Sequence, residues 1–396
     1  MIMFRLPPRL SIACLLPVVA SLPVQADEAD VINVRASASM LRDDNLFRVP
    51  KAANPTMETI TTTIAGVDFN KRISLQQLIA HVSWIDTRYS NNDYLNAGSL
   101  HYDGKWLWAV GSHLKGELAA DRSSAQNSFA DFPGLRRRNL RTTENQRFNL
   151  EYAFHPSWHV IGGVSHLTVT NDQLLTQESD FEANGAAIGI KHTPASGNWL
   201  SFQTRQSDGR YTKRPFDAFS QFDNRFTDRG QEFAASWQPT GHSTFNGRLE
   251  YLERHHPHFS KRNFSGWTGQ LGYLYQYSAK TSLTATYVRG LNAFQDTSSS
   301  YYTSDDLIFG ARWDATAKIG VSGRVGFSHR RYLGEVTPLA GPRREDDVTR
   351  AGIDVSYKAY RWLELKAGLA AEKRNSVGTA LDYTDRQALI SATARF

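Results

Sequence analysis

From residue 31 onward, apolar and polar residues alternate along most of the chain, with the two-residue period of an extended strand. In 267–277 one face carries Trp267, Leu271, Tyr273, Tyr275 and Tyr277, and the other carries Thr268, Gln270, Gly272, Leu274 and Gln276. In 363–371 Leu363, Leu365, Ala367, Leu369 and Ala371 oppose Glu364, Lys366, Gly368 and Ala370. The segments 319–327 and 351–357 repeat the pattern, with Arg324 and Asp354 on the polar side. Strands of this kind have one greasy and one wet face. The pattern therefore predicts Leu271, Tyr273, Val325, Val355 and Leu365 facing lipid, and Gln270, Arg324, Asp354 and Lys366 facing a lumen.

The connections alternate too. Short turns are expected at 70–72, 103–105, 155–157, 193–198, 239–242, 278–280, 314–318 and 358–361. Longer polar stretches fall between them, notably 122–141, 206–226, 254–265 and 330–348, with 89–94 a short exception. Short turns on one side and long loops on the other are the habit of a membrane barrel, whereas a soluble sandwich has no reason for them. The count gives an all-β, single antiparallel transmembrane barrel of about 18 strands, with 16 allowed, and both termini on the periplasmic side. Six tryptophans, Trp106, Trp158, Trp199, Trp237, Trp313 and Trp362, stand beside these short turns, as an interfacial aromatic girdle would.

Composition supports strands over helices as the membrane-crossing element. Only 40% of residues are hydrophobic, and no run after the first residues reaches the roughly 20 apolar residues of a membrane helix. Residues 1–26 read as a secretory leader: Arg5 and Arg9, then the apolar 12–19, then Val24-Gln25-Ala26 at a cleavage site. The barrel then occupies 27–396. Cys14 lies inside the leader, so the expected mature chain has no disulfide. Losing the two leader arginines takes the formal charge from +6 to +4, too mild for a nucleic-acid protein. The chain closes on 388–396, where Ala388, Ile390, Ala392, Ala394 and Phe396 share a face. A terminal aromatic on an alternating strand resembles the address read by outer-membrane assembly machinery.

The lumen face is expected to carry Arg147, Glu151, Lys191, Arg205, Glu232, Arg248, Glu250, Arg312, Asp314, Arg324, Asp354, Lys358, Glu364 and Lys366. Such a mixture keeps a wide pore wet without strong selection by sign. The alternative for any one of them is a cross-strand pair that stiffens the wall. Arg147, Arg205, Arg248, Arg312, Arg324, Asp354 and Lys366 are the candidates for contact with a passing glycan. Arg136-Arg137-Arg138 with Arg141, and the pairs Arg330-Arg331 and Arg343-Arg344, suit phosphate or uronate groups, lipopolysaccharide phosphates included. His255, His256 and His258 cluster without the fixed spacing of a metal site. No nucleophile elbow, phosphate loop or zinc-helix motif is present, and no metal or cofactor is expected.

One segment carries a family resemblance. Leu41-Arg-Asp-Asp-Asn-Leu-Phe-Arg-Val-Pro50 follows the first strand, and its core, Asp43, Asp44, Asn45, Leu46, Phe47 and Arg48, resembles the corresponding segment of EpsL-like outer-membrane barrels. Those barrels belong to exosortase-associated exopolysaccharide operons. Leader, first strand, this segment and a barrel ending in phenylalanine match their layout. The resemblance implies a non-enzymatic conduit or assembly component for a secreted polysaccharide, with periplasmic export proteins as partners. Read locally, the segment is an acidic turn whose Asp43, Asp44 and Asn45 cap backbone amides. A general or solute-specific diffusion porin is the other reading of the same residues.

Overall fold

The computed structural model describes residues 31–130, 136–293, 299–335, 341–377 and 381–396; the expected leader lies outside them. Eighteen strands follow in order. The first nine are β1 (Ile32–Asp43), β2 (Glu58–Ile73), β3 (Gln76–Tyr89), β4 (Ala97–Val110), β5 (Leu114–Gln126), β6 (Leu140–His155), β7 (Trp158–Asn171), β8 (Phe181–His192) and β9 (Trp199–Tyr211). The rest are β10 (Arg225–Thr240), β11 (Ser243–His255), β12 (Phe264–Ser278), β13 (Thr281–Ala293), β14 (Tyr301–Asp314), β15 (Ile319–Leu333), β16 (Glu345–Tyr360), β17 (Leu363–Val377) and β18 (Tyr383–Arg395).

Each strand pairs antiparallel with the next, and β1 pairs with β18 from Arg35↔Arg395 to Asp43↔Gln387. The ring is closed, so no edge strand offers its amides to hydrocarbon. The terminal phenylalanine completes the seam: Phe396 donates its amide to the Val34 carbonyl at 2.8 Å and accepts from the Val34 amide at 2.7 Å. The termini therefore share one end, the end of the short turns. The long connections gather at the other end, which is external.

Register fixes the faces. Leu271, Val325, Val355 and Leu365 lie on the exposed apolar outside, in one cross-strand system with Phe309, Ile353, Leu369 and Ile390. Tyr273 shares that face. Gln270, Arg324, Asp354 and Lys366 alternate with them and face inward. Strands run from 12 residues in β1 to 16 in β2, longer than the 9–11 or so that hydrocarbon alone requires. The surplus lies at the external ends. There the outward side chains are charged and pair with each other, as in Arg88–Asp86 (2.7 Å), Arg122–Glu144 (3.1 Å) and Arg289–Asp305 (2.7 Å). Such pairs belong above the lipid, so the ladder continues past the membrane and shortens the expected loops.

Three expectations need correction. Asn70-Lys71-Arg72 is no turn: β2 carries on to Ile73, and the reversal is at Ser74-Leu75, with Ser74 at φ 55°. Asp103-Gly104-Lys105 lies within β4 and reads as a turn only because Asp103 and Lys105 both point inward, 3.5 Å apart. The reversal comes at 111–113, where Gly111 takes φ 62°. Trp199 leaves the girdle: it sits opposite the lumen-facing Ser236 and lies under the Lys191 ammonium, 5.4 Å from the ring. Trp106, Trp158, Trp237, Trp313 and Trp362 are exposed on the outer face near the periplasmic rim.

Candidate functional site

The lumen wall is a lattice of ion pairs set into small residues. Arg147 on β6 reaches Glu117 and Asp121 on β5, each at 3.0 Å. Glu151 gathers Lys191 (3.1 Å), Lys115 (3.2 Å) and His159 (2.7 Å). Arg254 grips Asp228 at 2.6 Å. Arg205 on β9 pairs with Glu250 on β11, passing over β10. That crossing is open because Gly230 stands between them: a Cβ there would overlap the Glu250 carboxylate and come within 3.0 Å of the Arg205 Nε. Against this half of the wall lies a cavity of about 940 Å³, lined by Lys115, Arg147, Lys191, Trp199, Arg205 and Arg254 among others.

The external mouth is built differently. Leu46, Phe47, Val49, Tyr89, Leu95 and Phe129 form a buried apolar cluster with Ile60 beneath it, drawn from three loops and two strand ends. Phe47 meets Phe129 edge-on at 5.0 Å, and the Arg136 guanidinium lies 5.1 Å from the Phe47 ring. Polar groups lock the segment down. The Asn45 amide donates to Asp43 Oδ1 (2.8 Å), the Val49 amide to Asn45 Oδ1 (3.0 Å), and Asn45 Nδ2 to the carbonyls of Val49 (2.8 Å) and Thr384 (3.0 Å). Arg48, at φ 54°, bridges Asp43 and Asp385, each at 2.9 Å. Burial works against the Arg48 charge, but the two carboxylates more than offset it and hold the guanidinium above its ordinary value. Asp44 accepts the Arg386 amide at 2.7 Å. Asp43, Asp44 and Asp385 stand close enough to share an ion, yet Arg48 already occupies the space between two of them.

Comparison with known proteins adds the class. Residues 262–396 match the model of the family described as "Putative beta-barrel porin 2". Three solved structures share the fold at 10% identity, each covering 92% of this chain. They are the outer membrane protein OpdK of Pseudomonas aeruginosa (99% of that chain, TM-score 0.52), OccK2 (OpdF) of the same species (97%, 0.53) and a BenF-like porin of Pseudomonas fluorescens Pf-5 (99%, 0.52). No curated protein matches the chain.

The chain is a porin-like barrel of the outer membrane.

Within that barrel the expected lumen residues do not form one cluster. Arg147 and Arg205 line the large cavity. Arg248 stands at 3.3 Å from Glu232, Arg312 at 3.0 Å from Asp314, and Arg324 at 3.6 Å from Asp354, which also takes Lys366 at 3.3 Å. The side chains of Arg248, Arg312 and Arg324 remain 55%, 56% and 70% exposed. These three keep most of their donors open to solvent; Arg147 and Arg205 are more deeply tied into the wall.

The loop arginines are mostly spoken for. Arg138 pairs with Asp172, Arg343 with Glu335 and Arg344 with Asp346, while Arg330 lies 5.8 Å from the Tyr302 ring. The three histidines do not converge. His258 pairs with Asp223 at 3.2 Å, whereas burial, reinforced by Arg254, pushes the His256 imidazole down to about 4. Two structural cations escaped the sequence reading. Buried Arg262 donates to the carbonyls of Gln221, Ser299 and Ser220, and buried Arg374 to those of Leu381 and Ala130. Both tie external loops together, and an arginine in a polar stretch carries no sign of it.

Proposed function

We propose that the barrel is a non-enzymatic diffusion porin for small hydrophilic solutes bearing a carboxylate. The observation that carries this is the trio Arg248, Arg312 and Arg324, each on a different strand, each more than half exposed to the lumen. A guanidinium fork binds a carboxylate in the plane of its donors, and nearby wall carboxylates keep that binding weak enough for release. The structural neighbours include OpdK with vanillate and OccK2 (OpdF) with glucuronate, both carboxylates, which supports the same direction. The test is swelling of liposomes holding the purified protein, with glucuronate against neutral glucose. Faster entry of the acid is expected, and Arg248→Gln, Arg312→Gln and Arg324→Gln together should erase the difference while the barrel still folds. Equal rates in the unsubstituted protein would overturn the reading.

A second reading, a conduit or assembly component for secreted polysaccharide with periplasmic export partners, draws on the 41–50 segment being locked into the mouth rather than left as a free turn. Deletion of the chain with loss of secreted polysaccharide and unchanged solute uptake would select it.

A further inference from the structure

The lipid-facing wall is hollowed on the strands β12 to β18. Ala311 and Gly323 stand side by side in register, with Phe309, Val325 and Ile353 around them. Small side chains among large ones leave an outer hollow of about 940 Å³. A Cβ built on Gly323 meets nothing within 4 Å, so the floor of the hollow is open. The hollow ends externally at Arg386, which faces outward with Ala371, Ala388 and Ile390.

Arg386 also lines a second hollow just above, of about 480 Å³, together with Lys51 and Lys373. Lys373 shares the outward face of β17 with Ala371 and Leu369. Lys51 comes from the connection after β1, and all three cations are exposed. None of the three is ion-paired among the described residues. The two carboxylates of the pocket each take a backbone amide, Asp44 from Arg386 and Asp382 from Ser376 at 2.6 Å. Elsewhere on the outer face several external cations are matched, as in Arg88–Asp86, Arg210–Glu182 and Arg289–Asp305, whereas Arg42 and Arg229 also stand there without an ion pair among the described residues. What sets Lys51, Lys373 and Arg386 apart is that the three line one pocket contiguous with an apolar hollow.

We propose that hollow and pocket together dock one phosphorylated, acylated glycolipid of the outer leaflet, a lipid A headgroup with its chains. An acyl chain fills the hollow over Ala311 and Gly323, and a phosphate sits among Lys51, Lys373 and Arg386. A soluble anion would use the pocket and leave the hollow empty. A second copy of the barrel would bring its own apolar face and no phosphate. The contiguity of the two features at Arg386, at the external end, favours the lipid.

The test uses the whole barrel, extracted in mild detergent, with bound lipid A measured by native mass spectrometry and by titration. Two variants divide the site. Lys51→Gln with Lys373→Gln and Arg386→Gln removes exposed charges only. At about 1 kcal/mol for each basic group at an anionic surface, affinity should fall roughly a hundred-fold. Gly323→Leu fills the hollow with every cation intact and should also displace the lipid. Heat-modifiable gel mobility confirms that both variants are folded, and solute entry should be unchanged in both. Retention of lipid A undiminished by either substitution would overturn the proposal. So would equal retention of phosphatidylglycerol, or a doubled mass that Gly323→Leu abolishes, which marks the face as a dimer contact.

Discussion

Arg48 is the residue on which the packed 43–49 segment at the mouth turns, and removing its charge gives the sharpest test of how that segment is held. Its guanidinium touches Asp43 at 2.9 and 3.1 Å and Asp385 at 2.9 Å, with both aspartate side chains only 3% exposed. Arg48→Met keeps length and loses charge, stranding the buried Asp43 carboxylate beside Asp385, whose own carboxyl is pushed up to about 8 by burial and by the neighbouring Asp43. Breaking a buried pair by deleting one partner costs about 3–5 kcal/mol, and the solvent still reaching Arg48 puts this site near the lower end. About 3 kcal/mol is roughly a hundred-fold in the local opening equilibrium. The assay is amide hydrogen exchange at Asn45 and Val49, whose N–H groups bond inside the segment. Their protection should fall by about that factor. Adding Asp43→Asn and Asp385→Asn should restore most of it, because a neutral trio strands no charge. Arg48→Gly separates charge from backbone: φ 54° suits glycine, so any strain is relieved while the charge is lost. Faster exchange in both Arg48→Met and Arg48→Gly, with recovery in the triple variant, is the expected set. Unchanged protection in Arg48→Met would refute the ion-pair account, and increased protection in Arg48→Gly would assign the strain the larger part.

Two further outcomes follow from residues already placed. Gly230→Val should push Arg205 and Glu250 apart, leaving a nearly buried Glu250 carboxylate without its partner; lower thermal stability of the folded barrel in detergent is expected, and an unchanged midpoint would show that the wall relaxes around the branch. His256 is held neutral down to about pH 4, so a loop-open state that charges it near 6.5 gains as pH falls: stability is present above 6.5, is lost through the window from 6.5 to 4 and is flat below, by up to about 3 kcal/mol. Proteolysis at Lys261 compared between pH 7 and pH 5 should accelerate, and His256→Gln should flatten that dependence.

How much of this was legible depends on which physical rule wrote each residue. The second half of the barrel was plain because lipid on one side and water on the other force the period of two, as in Leu363 to Ala371. The same rule in reverse misplaces the first turns. In β4 the lumen permits Asp103 and Lys105 within the wall, and a polar pair around glycine mimics a turn. Distance to a turn assigns Trp199 to the girdle. Its face depends on parity after the 193–198 reversal, which distance does not report. In the 41–50 segment the local capping by Asp43 and Asn45 was readable, since its partners lie within a few residues. The bonds to Thr384 and Asp385 were not, because nothing in the sequence says that β18 returns beside β1 at that height. One signal was present and unused: Leu46, Phe47 and Val49 are three apolar residues in a loop expected to face water, and they form the mouth core.

The arginines show why counting charges says little about what such a barrel binds. Its formal excess is small, and its loops are rich in cations, which invites a broad anion-attracting surface. Most of those cations are engaged in holding the protein together. Arg262 and Arg374 answer backbone carbonyls that the loops would otherwise leave unsatisfied, a need that grows wherever irregular backbone is buried. Arg138, Arg343 and Arg344 answer nearby carboxylates. Among those that remain, two groups face different media. Arg248, Arg312 and Arg324 face the aqueous lumen, where wall carboxylates weaken any one contact. Lys51, Lys373 and Arg386 stand above hydrocarbon with no ion-paired neighbour, where an anion must bring its own apolar part to use the surface fully. The same residue types thus meet water in one setting and hydrocarbon in the other, and the medium each group faces decides what kind of ligand it is able to hold.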